Sequence, residues 1–214
     1  EEVQAAWGAR PAEWLLANAP VGPRWCLIHL TQKNAAETAQ VAKSGAVAGL
    51  CPITESSLGD GIFNGVAFLG AGGRFGIGSD SDIRISLSEE LRTLEYSQRL
   101  KHRGRAMLAG EEGSTGRALY RGAAHGGAQA LRRASGAIAP GLWADLLALD
   151  TGALDLEGKT DDLLLDGWIF AGDDRMVREV WSAGRQMVAE GRHVARDVVE
   201  PAARAALRRL KDRL

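Results

Sequence analysis

FGIGSDSDIRISLSEELRTLEY (residues 75–96) passes through three textures in 22 residues. An apolar run with glycines, Phe75 to Gly78, gives way to the acidic cluster Ser79-Asp80-Ser81-Asp82, and a helix then starts on Ser86 or Ser88. A strand that ends on an aspartate and turns at once into a helix is one unit of a β-loop-α fold. Two readings of Asp80 are open at this point. It caps the turn before the following helix, or it stands at the carboxyl end of a strand, where an α/β barrel collects its reactive groups.

Two units of the same kind precede it. RWCLIHLT (24–31) is a continuous apolar β run, the pattern of a strand buried on both faces. Asn34 then caps the helix AAETAQVAKSG, closed by Gly45. AVAGLCPI (46–53) is a second buried strand, followed by the loop TESSLGDG and the helix GIFNGVAFLGAGG (61–73). RFGIGSD (74–80) is the third strand, and the long helix SLSEELRTLEYSQRLKHR follows it. Upstream, residues 2–18 give a helical turn, a break at Pro11 and a helix carrying Trp14, Leu15 and Leu16. Three successive units imply parallel strands with right-handed crossovers. A doubly wound sheet and a (β/α)8 barrel both satisfy that pattern. His29, Thr54-Glu55 and Asp80 cluster where strands end, which in a barrel is the catalytic face.

The texture changes after the helix GRALYRGAAHGGAQAL. SGAIAPGLWADLLALD holds a Pro-Gly turn before a strand at 144–149, and DLLLDGWIF and MVREVWSAGRQMVAEGRHV predict further β segments joined at Ala183-Gly184 and Glu190-Gly191. These are antiparallel signals. RAALRRLKDRL, with Leu207, Leu210 and Leu214 at helical spacing, predicts an amphipathic end helix. The chain thus divides into 1–135, 136–199 and 200–214.

With 26 basic and 27 acidic residues interspersed, the net field steers neither nucleic acid nor an acidic partner. Cys26 and Cys51 lie in apolar runs without a CxxC spacing, so both are expected as buried, reduced thiols of a cytoplasmic protein. No apolar run approaches the roughly 20 residues of a membrane span. The sequence opens on EEVQAAWGARPAEWLL without Met or a signal peptide, and is expected to be the later part of a longer protein.

Of four histidines, His102 and His193 sit among charged residues and read as solvated, and His125 lies on a helix among small residues. His29 closes the apolar strand WCLIH; alone it is a core histidine or a functional one. With Asp80 two strands later at the same face, the pair can converge on one ion or water. An aspartate offers a hard oxygen to Zn²⁺ or Fe²⁺ and can accept a proton from activated water. An imidazole beside it can orient the attacking oxygen and polarise the electrophile. A catalytic zinc takes three or more protein ligands, so this pair alone is an incomplete set.

The set WCLIH, GLCPITESSLGDGIFNG and RFGIGSDSDIRISLSEELRTLEYSQRL resembles the later barrel strands of the amidohydrolase superfamily, and within it the formimidoylglutamate deiminase family. SGAIAPGLWADLLALD followed by VREVWSAGRQMVAEGRH is similar to the superfamily's closing β-sandwich. The resemblance implies an α/β fold: the C-terminal portion of a (β/α)8 TIM-like barrel, strands six to eight with flanking helices, plus a small C-terminal β-sandwich segment and an end helix. It implies one divalent metal, zinc or iron, with Asp80 as ligand and proton shuttle and His29 orienting hydroxide and substrate. Glu55 would contact a cationic formimino group or cap a loop, Ser79 and Ser81 would position the Asp80 loop, and Arg84 is the remaining candidate for a substrate carboxylate. The family's H-x-H pair on strand one and the histidine on strand five have no counterpart here, and Gln32 stands where relatives often have a second histidine. The chain by itself is therefore expected to be inactive. The implied reaction is hydrolysis of N-formimidoyl-L-glutamate to N-formyl-L-glutamate and ammonia in histidine degradation, by a homodimer acting on a small molecule, with neither nucleic acid nor membrane as partner. Another aminohydrolase reaction on a nucleobase-type substrate, or a catalytically incomplete fragment, are the rival readings.

Overall fold

The computed structural model describes residues 2–211. The chain opens with two helices, α1 (Glu2–Trp7) and α2 (Pro11–Asn18), the second started by Pro11 at its first position. Strand β1 (Cys26–Ile28), helix α3 (Ala35–Ser44), strand β2 (Val47–Leu50), helices α4 (Pro52–Leu58) and α5 (Gly65–Gly70), strand β3 (Arg74–Ile77) and helix α6 (Leu87–His102) follow. The three strands form a parallel sheet in the order β1-β2-β3, with Leu27 opposite Ala48 and Gly49 opposite Gly76.

The local causes are those of the sequence. Asn34 Oδ1 accepts the Glu37 N–H at 2.9 Å while Glu37 Oε2 accepts the Asn34 N–H at 2.8 Å, a reciprocal cap that starts α3. Gly45, at φ 78°, ends it in the left-handed region where a side chain would be strained. Ser86, rather than Ser88, caps α6 by accepting the Glu89 N–H. The central strand β2 is buried along its whole length, and Leu50, Phe68, Leu91, Leu119 and Trp168 meet in one core.

Helix α7 (Thr115–Ala130) closes over β3, and one residue sets how near it comes. A Cβ at Gly126 would lie 1.8 Å from the Phe75 carbonyl oxygen, so only glycine allows this approach of helix to strand. Strand β4 (Leu146–Leu149), helix α8 (Asp162–Phe170), and strands β5 (Val177–Ser182), β6 (Arg185–Ala189) and β7 (Arg192–His193) complete the second sheet, antiparallel in the order β4-β5-β6-β7. Its hairpins turn at Ala183-Gly184 and Glu190-Gly191, all four with positive φ, as a right-twisted two-residue hairpin requires. Asp145, just before β4, receives Arg133 through two nitrogens at 2.6 and 2.9 Å and the Ala183 N–H at 2.8 Å. Helix α9 (Arg196–Lys211) ends the described chain; Leu214 of the expected end helix lies outside the described residues. No helix among the described residues is long and apolar enough to cross a membrane.

Five expectations are corrected. DLLLDGWIF is helix α8, not a β segment: its apolar run fits either period, and burial of Trp168 and Ile169 against the core selects the helical one. The stretch after β2 is helix α4, not a loop, because Pro52 at its first position and Gly59 at φ 73° bracket a full helix around Glu55. The helix expected over 61–73 is confined to α5, with Gly61 (φ 101°) and Gly72 (φ 81°) in left-handed conformations near the two ends of the expected span. The strand expected over 24–31 is only Cys26–Ile28, and it alternates in burial because β1 is the sheet's edge, with one face open. For the same reason Cys26 is exposed; Cys51 is the buried thiol.

Candidate active site

Three strand ends converge. At the first, the His29 N–H donates to the Gly49 carbonyl at 2.8 Å, extending the β1–β2 ladder one residue, and the chain then turns sharply. His29 (φ 63°) and Leu30 (φ 56°) both sit in the left-handed region, a conformation that costs roughly 1–2 kcal/mol per non-glycine residue. Surrounding bonds hold it there. The Leu30 N–H reaches the Ile28 carbonyl at 2.9 Å, and the buried Lys33 Nζ donates to the Leu30 carbonyl at 2.5 Å. The Lys33 ammonium lies 4.2 Å from the Phe63 ring centroid; burial lowers its pKa to about 8, although Glu37 and Glu55 pull the other way.

The second strand end carries Cys51 and, one helical turn into α4, Glu55. The carboxylate of Glu55 folds back so that Oε1 accepts the Cys51 N–H at 2.9 Å and lies 3.3 Å from His29 Nδ1. Burial pushes the Glu55 carboxyl above the usual carboxylate range, partly offset by these two donors.

The third end is the Asp80 turn. The Gly78 N–H donates to the Leu50 carbonyl at 2.9 Å, and Asp80 follows at φ 51° with Oδ2 3.7 Å from His29 Nε2. Thr54 of α4 anchors this turn: its Oγ1 lies 2.9 Å from Ser81 Oγ and donates to the Ser79 carbonyl at 3.1 Å. Ser79 Oγ donates to Asp82 Oδ1 at 2.7 Å and tightens the loop from inside.

The structure thus brings His29, Glu55, Asp80 and Ser81 together, with Ser81 bonded to Thr54. Arg84 is placed apart, on the exposed turn before α6, where its guanidinium pairs with Glu89. His102 and His193 are exposed, and His125 is also on the surface of α7. The residue that sequence reasoning left out is Cys51. A ligand atom of His29, of Cys51 and of Asp80 all lie within 4.8 Å of one another. No motif signals this, since a lone cysteine after an apolar strand reads as core. Burial, with the charges of Glu55, Asp80 and Glu90 nearby, raises the Cys51 thiol to about 11, so without a metal it stays protonated. Nitrogen, oxygen and sulfur donors at this spacing, with Asp80 and His29 still part-exposed, fit zinc in kind and leave one side open to further ligands.

Residues 26–187 match the family described as the Amidohydrolase family. The chain is 50% identical over 198 residues to formimidoylglutamate deiminase of Pseudomonas aeruginosa, a match covering 92% of this chain and 44% of that protein. Its fold superposes with a TM-score of 0.89 on a crystal structure of an amidohydrolase from Brucella melitensis, at 49% identity, covering 97% of this chain and 46% of that one. An adenosine deaminase from Xanthomonas campestris, solved with bound zinc, gives a TM-score of 0.86 at 26% identity, covering 99% and 47%. The chain spans less than half the length of each of these relatives.

Proposed function

The chain belongs to the amidohydrolase family, and from that premise we propose that it carries the C-terminal part of a metal-dependent deiminase hydrolysing N-formimidoyl-L-glutamate. The observation that carries the reading is the 3.7 Å approach of His29 Nε2 to Asp80 Oδ2 across the ends of β1 and β3. The substrate is supported by the 50% identity to formimidoylglutamate deiminase. In this reading β1, β2 and β3 are strands six to eight of a (β/α)8 barrel, β4–β7 form its closing β-sandwich segment, and α9 is the end helix, with the first division at 135 and the second, expected at 199, falling inside α9, which begins at Arg196.

The reaction exchanges a C=N for a C=O: water adds to the formimino carbon, the C–N bond to the terminal nitrogen breaks, and N-formyl-L-glutamate and ammonia leave. Asp80 would hold a divalent metal, with Cys51 a neighbouring donor and His29 beside them. A metal there would supply Lewis acidity, which lowers the pKa of water to roughly 7. His29 orients the attacking oxygen and the imino nitrogen through Nε2. Asp80 accepts the proton lost by the attacking water and delivers it to the imino nitrogen, then carries the hydroxyl proton of the tetrahedral intermediate to the same nitrogen as C=O forms and ammonia leaves, so the chain ends the cycle in its starting protonation state. Thr54 and Ser81 keep the Asp80 turn in its left-handed conformation.

The family's deaminases of purine substrates give a second reading, favoured by the TM-score of 0.86 to the adenosine deaminase. Ammonia release by the full-length gene product, offered N-formimidoyl-L-glutamate and separately adenosine, guanine and cytosine, separates the two. Turnover of formimidoylglutamate is expected; its absence, with ammonia from a nucleobase or nucleoside, overturns the assignment.

A further inference from the structure

We infer that Glu55 is a positioning residue that fixes the tautomer and aim of His29, and does not meet the substrate. The inference rests on the proposed role of His29, and three features of the site carry it.

First, Glu55 Oε1 is engaged on the protein side. It accepts the Cys51 N–H at 2.9 Å and faces His29 Nδ1 at 3.3 Å, while the side chain is buried. A carboxylate that already serves a backbone amide and an imidazole is poorly free to turn toward a ligand. Second, the geometry assigns the proton. A carboxylate accepts only, and Glu55 Oε1 is within hydrogen-bond reach of Nδ1, so the single proton of the neutral ring sits on Nδ1. Asp80 Oδ2, 3.7 Å from Nε2, lies beyond hydrogen-bond reach and calls for no proton there, so Nε2 keeps its lone pair for a proton donor on substrate or water. Third, the two attachments of Glu55 belong to different strand ends. By binding the amide of Cys51, next to β2, and the ring of His29, next to β1, one carboxylate sets the imidazole against the same backbone that lays down the Asp80 turn through the Gly78–Leu50 bond. The strained turn at His29 and Leu30 fixes the backbone but leaves the ring free about its side-chain torsions; Glu55 removes that freedom.

Long-range ¹H–¹⁵N NMR of the His29 ring, in the full-length gene product at about pH 8, reads the tautomer without substrate. Protonated Nδ1 with bare Nε2 is expected. A ring protonated on Nε2 would overturn the inference, and this readout needs no variant that might fail to fold. Two variants extend it. In Glu55→Gln the amide oxygen can still accept from Nδ1, so the tautomer should persist. In Glu55→Leu, checked for folding by circular dichroism, it should move to Nε2–H. With formimidoylglutamate, Glu55→Leu should lose about 10–100-fold in kcat with KM within about 3-fold, and Glu55→Gln should recover most of that loss. A KM that rises while kcat holds marks Glu55 as a substrate contact and contradicts the inference. If formimidoylglutamate is not turned over at all, the substrate assignment fails while the tautomer measurement still decides the role of Glu55.

Discussion

His29 Nε2 and Asp80 Oδ2 face each other at 3.7 Å from the ends of the two outer strands of a parallel sheet, with the buried β2 between those strands. Both residues occupy left-handed backbone conformations, φ 63° and 51°. Strain of this kind persists only where surrounding structure over-determines it, and it gathers at functional sites.

Asp80→Asn keeps the size of the side chain and removes its charge and its proton acceptance. In the full-length gene product, zinc bound per chain should fall well below one by elemental analysis, and turnover should drop by about 10²–10⁴-fold, the range for loss of a positioned acid–base group. Full zinc occupancy in the variant would remove Asp80 from the ligand set.

Thr54→Val tests the anchor beneath Asp80. The change takes away the hydroxyl that meets Ser81 Oγ and the Ser79 carbonyl, leaving those groups without their partner. A loss of about 1–2 kcal/mol in urea unfolding is expected, together with weaker zinc retention against a chelator. Unchanged zinc retention would mean that the turn holds its shape without Thr54.

Glu90 carries a pH signature. It is 2% exposed, Oε2 accepts the Ile53 N–H at 2.8 Å, and Oε1 has no partner among the described residues. Burial first, then the charges of Glu55 and Glu89, raise its pKa from 4.5 to about 7. A carboxyl whose folded pKa is raised contributes stability that is fully present below about pH 4.5 and is lost as the pH rises through about 7. The loss assignable to this group is on the order of 3 kcal/mol at most. Urea midpoints for wild type and Glu90→Gln should therefore diverge between pH 5 and 8, with the variant the more stable at the upper end. Parallel pH profiles would show that Glu90 is not the group responsible.

The 214-residue chain alone should bind zinc weakly and show no turnover, because, of the three donors clustered among its described residues, burial holds the Cys51 thiol protonated, and His29 with Asp80 is an incomplete set. Elemental analysis of the purified chain, beside an ammonia assay, checks this. Stoichiometric zinc with activity would contradict it.

Much of this architecture is legible from local chemistry. Asn34 and Gly45 punctuate α3, and Ala183-Gly184 and Glu190-Gly191 mark hairpins because few other residues accept positive φ there. The β-loop-α rhythm puts His29 and Asp80 at the same end of the first and third units, so their meeting could be anticipated. What escaped depended on neighbours distant in sequence. DLLLDGWIF became α8 because the core accepts Trp168 and Ile169 from one helical face, which no window of nine residues can reveal. Pro52 and Glu55 held the signal for α4, but the serines and glycines around them read more strongly as a loop. Cys26 and Cys51 look alike in sequence; an edge strand exposes one, and a turn beside three carboxylates buries the other. The tie between Glu55 and His29 required both the helix and the strained turn.

The most direct measurement is a double-mutant cycle on ammonia release from N-formimidoyl-L-glutamate, comparing His29→Asn, Asp80→Asn and the double variant of the full-length gene product. If the two residues act on one reacting centre, their losses in kcat/KM are strongly non-additive, and the double variant is little worse than the poorer single one. Losses that multiply would show two independent roles and contradict the shared centre at the strand ends.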